Sequence, residues 1–214
     1  TRILFLANPN NPTGSFLNGN ELSALREKLP QNILLVVDDA YQEYAKSRGC
    51  PNGLEIAKIW DNVVVTRTMS KIYGLAALRI GWSYASQEVT DNLNRLRQPF
   101  NISTMAQKGA LAALDDQSLV QKNIEHNNKW QAYLIDQFSN LGLHSLPSAG
   151  NFITVGFPKN KTNNATAAML FLHKQKIIPR TTADYDMPDF MRITVGTKNE
   201  NLTLIEALKE FLKS

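Results

Sequence analysis

Three short runs, RILFLA (Arg2–Ala7), ILLVVD (Ile33–Asp38) and NVVVTRT (Asn62–Thr68), are hydrophobic almost without interruption. A strand with one wet face alternates apolar and polar residues, whereas runs like these suit strands covered on both faces, as in a parallel sheet. Between the first two lies GNELSALREKLP, in which Leu22, Leu25 and Leu29 fall on one helical face ahead of Pro30. Strand, helix, strand predicts a parallel crossover. By Thr68 the chain is therefore committed to an α/β architecture.

The rest of the pattern predicts a change of architecture part-way along. LRIGWSYA (Leu78–Ala85) reads as a further strand, Ser86–Leu114 as mainly helical with a break at Gln98-Pro99, and Ser118–Leu141 as one long helix with Trp130, Leu134 and Phe138 on a common side. After LPSAG the pattern restarts. It gives a strand (Asn151–Phe157), a polar loop (Pro158–Thr166), a helix near Asn164–Lys176, strands at Lys176–Arg180 and Phe190–Gly196, and a last helix from Glu200 with Asn199 as N-cap. The expected fold is a parallel-rich three-layer large domain over residues 1–120, incomplete at its N-terminus, plus a small α+β domain over 121–214. The incompleteness is expected because RILFLA reads as a buried strand with no element before it to shield it.

Charge and composition narrow the function. The formal net charge of +4 is spread along the chain without a basic run, which suits small anionic ligands and excludes a nucleic-acid footprint. The aliphatic run Ile33–Val37 is too short to span a bilayer, and no signal peptide is present, so the expectation is a soluble cytoplasmic protein. Cys50 is expected to be incidental in a polar loop. His126, His144 and His173 lie too far apart for metal-ligand spacing. GSFLNGN (Gly14–Asn20) has the glycines of a phosphate loop but asparagine where its lysine belongs, and no G-x-G-x-x-G follows a strand.

In open parallel sheets ligands bind at the carboxyl ends of the strands. Here those ends are polar: NPNNPTG (Asn8–Gly14) follows the first run, Asp38 ends the second within DDAY, and the third leads through Thr68 and Ser70 to Lys71. Taken singly, Asn-Pro and Thr-Gly are turn chemistry, a strand-end aspartate is a cap, and a lysine is solvated. Together they point an amide, a carboxylate, the Tyr41 phenol, two hydroxyls and an amine into one crevice.

The set NPNNPTG, DDAY, TMSKIYGLAALRIG and MRITVGT (Met191–Thr197), in this order, resembles the pyridoxal-phosphate-dependent aminotransferases of fold type I, most closely the histidinol-phosphate aminotransferase branch. Asp39, Ala77 and Met69 depart from that branch, which often has glutamate, glycine and an aromatic residue there. The resemblance implies an aspartate-aminotransferase-like fold and pyridoxal 5'-phosphate as cofactor. Lys71 would carry the cofactor and then act as base, which requires it to be neutral part of the time, as burial near other cations promotes. Asp38 would pair with the ring nitrogen, Asn11 and Tyr41 with the ring hydroxylate, and Thr68, Ser70 and Arg79 with the phosphate. Arg192 would grip the anionic end of the substrate, with Arg180 and Asn151 as further contacts. Without a ligand, Arg192 reads as half of an internal salt bridge, since an arginine among apolar neighbours needs an anionic partner.

The implied reaction is transfer of an amino group from a small anionic substrate, histidinol phosphate first and an aromatic amino acid next, to 2-oxoglutarate, giving glutamate, in a homodimer when full length. A threonine-phosphate decarboxylase-like enzyme and a non-catalytic effector-binding domain are the rival readings. The family's N-terminal arm, glycine-rich phosphate turn and ring-stacking aromatic residue precede the first motif matched here. A fragment and a naturally shortened homologue are both compatible with that.

Overall fold

The computed structural model describes residues 1–160 and 162–213. Lys161, within the polar loop expected over 158–166, lies outside them, as does Ser214. In chain order the elements are β1 (Ile3–Ala7), α1 (Gly19–Lys28), β2 (Leu34–Asp38), α2 (Gln42–Ala45), α3 (Gly53–Ala57), β3 (Val63–Thr68), β4 (Gly81–Tyr84), α4 (Gln87–Leu96), α5 (Thr104–Asp115), α6 (Gln117–Asn140), β5 (His144–Ser145), β6 (Phe152–Gly156), α7 (Ala165–Lys174), β7 (Arg180–Thr181), β8 (Phe190–Thr194) and α8 (Lys198–Lys213). They form two compact units: Thr1–Asn10 with Phe16–Ile124, and Asn11–Ser15 with Glu125–Ser214. No helix among the described residues is long and apolar enough to cross a membrane.

The first unit holds a sheet in the order β1-β2-β3-β4, parallel across its first three strands and antiparallel at the last. Helix α1 starts at a capping box: the Asn18 side chain accepts from the Glu21 N–H, and the Glu21 carboxylate accepts from the Asn18 N–H. Its Leu22 packs on Leu35, Val37, Ile56, Val63 and Val65. The expectation of strands covered on both faces holds for the central pair only. Phe5 on β1 is 75% exposed and all four residues of β4 are exposed, because these are the edge strands. The strand expected over 78–85 shrinks to Gly81–Tyr84, as residues 76–78 form a 3₁₀ turn and Arg79 takes a left-handed conformation.

The second unit holds an antiparallel sheet in the order β5-β6-β8-β7. Phe138 and Leu134 of α6, Leu172 of α7 and Leu208 and Phe211 of α8 bury against Ile153, Val155, Met191 and Ile193. The strand expected over 176–180 is reduced to Arg180–Thr181. The proposed Asn199 cap is wrong. Helix α8 begins at Lys198, and the Thr197 hydroxyl accepts from the Glu200 N–H while the Glu200 carboxylate accepts from the Thr197 N–H, so a threonine-glutamate capping box starts the helix. Cys50 is also not incidental: it is buried with its thiol 3.8 Å from Asn8 Nδ2, and burial pushes the thiol pKa up to about 12.

Candidate active site

In the first unit, the parallel strands end where polar residues begin. Asp38 closes β2 opposite Thr66 of β3 and is exposed, one oxygen accepting from the Ala40 N–H at 3.0 Å. A turn after Asp38 brings Tyr41 in, with its ring buried. β3 ends at Thr68, whose hydroxyl accepts from the Ser70 N–H at 3.0 Å. Buried Met69 and Ile72 flank this turn, so Lys71 projects outward, and its Nζ lies 5.2 Å from the centre of the Tyr41 ring. Lys71 is exposed, contrary to the burial that its expected role suggested.

The stretch after Lys71 folds back on itself. Gly74 has φ +71°, which L side chains rarely adopt, and its N–H donates to the Lys71 carbonyl. Met69 N–H donating to Ile80 O closes the base of the loop. Arg79 therefore returns to Ser70, with Nη1 3.5 Å from Ser70 Oγ and 2.8 Å from the Ala76 carbonyl. Five of the expected cofactor residues thus fall into two adjoining groups on one segment and its neighbour: Lys71 with Tyr41, and Thr68, Ser70 and Arg79 around one short turn.

Asn11 belongs to the second unit. Arg192 Nη1 donates to Asn11 Oδ1 at 2.5 Å, and the Thr154 hydroxyl of β6 donates to the Pro12 carbonyl. Arg192 also lies over the Phe152 ring, 5.3 Å from its centre. The internal salt bridge considered for Arg192 is absent: among the described residues its partner is this neutral amide, and its buried Nε has no partner. Arg180 stands directly opposite Arg192 in the β7–β8 register. Both line a cavity of about 630 Å³ together with Ile177, Asn199 and Thr203. Like charges directly opposite one another are destabilising on a sheet unless a counter-charge is near, and Glu200 lines the same cavity. Asn151 is half-buried beside β6, its carbonyl accepting from the Val195 N–H.

A buried ion cluster behind the strand ends escaped the sequence reading. Arg67 of β3 donates through Nη2 to Asp39 Oδ2 at 3.2 Å and to Asn52 Oδ1 at 2.8 Å, and through Nη1 to Glu43 Oε1 at 3.3 Å. Asp39 is fully buried, and its Oδ2 also accepts from the Gly53 N–H. Burial raises the Asp39 pKa to about 6, outweighing the attraction of Arg67, and burial also raises Glu43. The signal in the sequence was faint: Arg67 follows an apolar run but is flanked by Thr66 and Thr68, whereas Arg192 stands between Met191 and Ile193.

An α/β chain with an amine, a phenol and a carboxylate at its parallel strand ends, and a paired-arginine cavity on a second sheet, has the plan of a solved aminotransferase. The crystal structure of histidinol-phosphate aminotransferase from Sinorhizobium meliloti in complex with pyridoxal-5'-phosphate matches 99% of this chain with TM-score 0.91 and 30% identity, over 57% of its own length. The aminotransferase class I and II profile matches residues 1–208, and the chain belongs to that family. Histidinol-phosphate aminotransferases of Maricaulis maris and Paramagnetospirillum magneticum are 43% and 45% identical over 100% and 99% of this chain. The chain spans 59% and 58% of the length of those two relatives.

Proposed function

We propose that this chain carries the cofactor-lysine region of a pyridoxal-phosphate-dependent transaminase, with histidinol phosphate as amino donor and 2-oxoglutarate as acceptor. The observation that carries the reading is Lys71 Nζ held beside the Tyr41 ring at the end of β3, one strand from the exposed Asp38 carboxylate. The donor set fits the cofactor. Arg79, Ser70 and Thr68 supply a guanidinium and two hydroxyls to a phosphate, Tyr41 a phenol to the ring oxygen, Lys71 an amine to the aldehyde carbon, and Asp38 a carboxylate to the ring nitrogen. When bound, the group supplies an electron sink for the carbon that bears the substrate amine.

Asp38 would hold the proton on the ring nitrogen. Tyr41 would orient the ring oxygen and sit against Lys71, and Lys71 Nζ would move a proton to and from the substrate carbon. In the second unit, Arg180 and Arg192 face each other and form no ion pair among the described residues, while Glu200 in the same cavity accepts from the Thr197 N–H; two guanidiniums so placed favour a substrate ending in a dianion such as a phosphomonoester. 2-Oxoglutarate, with a carboxylate at each end, suits the same guanidinium pair. Asn11 would set the Arg192 guanidinium through their 2.5 Å contact. The reading includes a cytoplasmic homodimer. Phe100, 99% exposed between α4 and α5, and exposed Leu96 and Met105 support a protein partner for that surface.

The test is spectroscopic. Adding pyridoxal phosphate to the chain should give the absorbance of protein-bound cofactor, and Lys71→Ala should abolish it. In the intact natural polypeptide, histidinol phosphate should convert that absorbance to the aminated form at least tenfold more efficiently than histidinol or phenylalanine. Failure of glutamate, histidinol phosphate, phenylalanine and tyrosine alike to change the spectrum would sink the proposal.

A further inference from the structure

We propose that the buried Asp39–Arg67–Glu43 cluster is a positioning device that holds Asp38, Tyr41 and Thr68 in place from behind the strand ends. Each of its charged members is one or two residues from a residue of the candidate site: Asp39 follows Asp38, Glu43 lies two beyond Tyr41, and Arg67 precedes Thr68. Side chains alternate along a strand, so a residue locked inward fixes its neighbour outward. Asp38 pairs in register with Thr66, while Arg67 pairs with Trp82 of β4 and lies 5.6 Å from the centre of that ring. The exposed carboxylate and the threonines thus share one face, and the guanidinium is on the other.

The cluster is built tightly. One Arg67 nitrogen joins Asp39 of the β2–α2 turn to Asn52, the N-cap of α3, and the other reaches Glu43 on α2, so a single guanidinium ties three segments together. Asp39 Oδ2 also accepts from the Gly53 N–H at 3.0 Å, and a Cβ at Gly53 would come within 2.9 Å of that oxygen. Glycine is what lets the carboxylate come this close to the backbone. Removing Arg67 leaves two acidic groups without their counter-charge in a buried pocket, and the turn that carries Asp38 and Tyr41 must move or those groups must neutralise. A buried ion pair is weak evidence for stability, and fixing one arrangement of the strand ends is the role the geometry supports here.

That the positioned residues serve a cofactor rests on the function proposed above; the positioning itself can be read without any cofactor. Two amides report on it directly, since the Ala40 N–H donates to Asp38 Oδ1 and the Ser70 N–H to the Thr68 hydroxyl. Hydrogen exchange at both should be measured in the wild-type chain, in Arg67→Met and in Leu22→Val, a substitution in the apolar core of the same unit on α1. The expected result is a rise of at least tenfold at both amides in Arg67→Met and little change in Leu22→Val, with partial rescue in Arg67→Lys. Pyridoxal phosphate titrated into the same proteins should bind at least tenfold more weakly to Arg67→Met only. If Arg67→Met does not fold, the isosteric Glu43→Gln is read in its place, with at least a threefold rise expected at Ala40. Exchange at Ala40 and Ser70 no faster than in Leu22→Val would overturn the inference, whatever the cofactor does. An intact natural polypeptide that binds no pyridoxal phosphate overturns the functional reading instead, and the exchange ratio still decides the positioning.

Discussion

The two sheets of this chain are buried to different degrees. In the second unit α6, α7 and α8 close over the sheet, so Phe138, Phe152, Leu172 and Leu208 are essentially inaccessible. In the first unit the central strands are as dry, yet edge strand β1 exposes Phe5 and edge strand β4 exposes Trp82 and Tyr84. The catalytic candidates Lys71, Asp38 and Tyr41 stand in the less covered unit, and the candidate substrate arginines Arg180 and Arg192 in the better covered one. Apolar patterning thus sets the stability of the second unit, while a charged cluster is what fixes the strand ends of the first.

The largest expected effect tests the contrast in burial. Phe138→Ala empties a site inside a closed core and should cost about 3–5 kcal/mol, whereas Phe5→Ser, at a mostly exposed position, should stay within about 0.5 kcal/mol. Urea unfolding followed by circular dichroism, together with the fluorescence of buried Trp130 for the second unit, measures both. A cost above about 2 kcal/mol for Phe5→Ser would mean that β1 is covered in solution, and the contrast would collapse.

The next effect separates charge from packing. Asp39 has a folded-state pKa of about 6, raised above its ordinary value chiefly by burial. The folded state therefore prefers the protonated acid. The associated stabilisation is complete below about pH 4 and is lost as pH rises through about 6, a swing of about 3 kcal/mol. Asp39→Asn removes that titration. Relative to wild type, the variant should gain about 3 kcal/mol between pH 4 and pH 7 in denaturant melts of the first unit. A parallel pair of stability curves would show that Asp39 stays ionised throughout and that Arg67 outweighs the burial.

These contrasts also explain what could be read from the sequence. The parallel crossovers were legible because Leu35–Val37 and Val63–Val65 are dry on both faces, a one-dimensional signal. The exposure of Phe5 was not legible, since an apolar residue looks the same whether or not a neighbour covers it. Lys71, Asp38 and Tyr41 stood out through motif order, and the structure brings Lys71 to the Tyr41 ring. The Asp39–Arg67–Glu43 cluster stayed hidden because its members are separated in sequence and meet only after β2 and β3 pair. The pairing of Arg180 with Arg192 was likewise a matter of register, and the strand expected over 176–180 proved to be only Arg180–Thr181.

The smallest effect concerns structure that burial should not influence. Helices α1 and α8, one in each unit, both begin at capping boxes. In α1 the Asn18 side chain accepts from the Asn20 and Glu21 amides at 3.0 and 3.1 Å, and in α8 the Thr197 hydroxyl accepts from the Glu200 amide at a longer 3.4 Å. Asn18→Ala should cost about 1 kcal/mol and Thr197→Ala about 0.5 kcal/mol, because the shorter, doubled contacts satisfy the free helix amides better. Thermal unfolding of the two variants orders them. Equal costs, or a larger one at Thr197, would mean that the closed core of the second unit amplifies a local defect, and the difference between the units would then extend from packing into the helix ends.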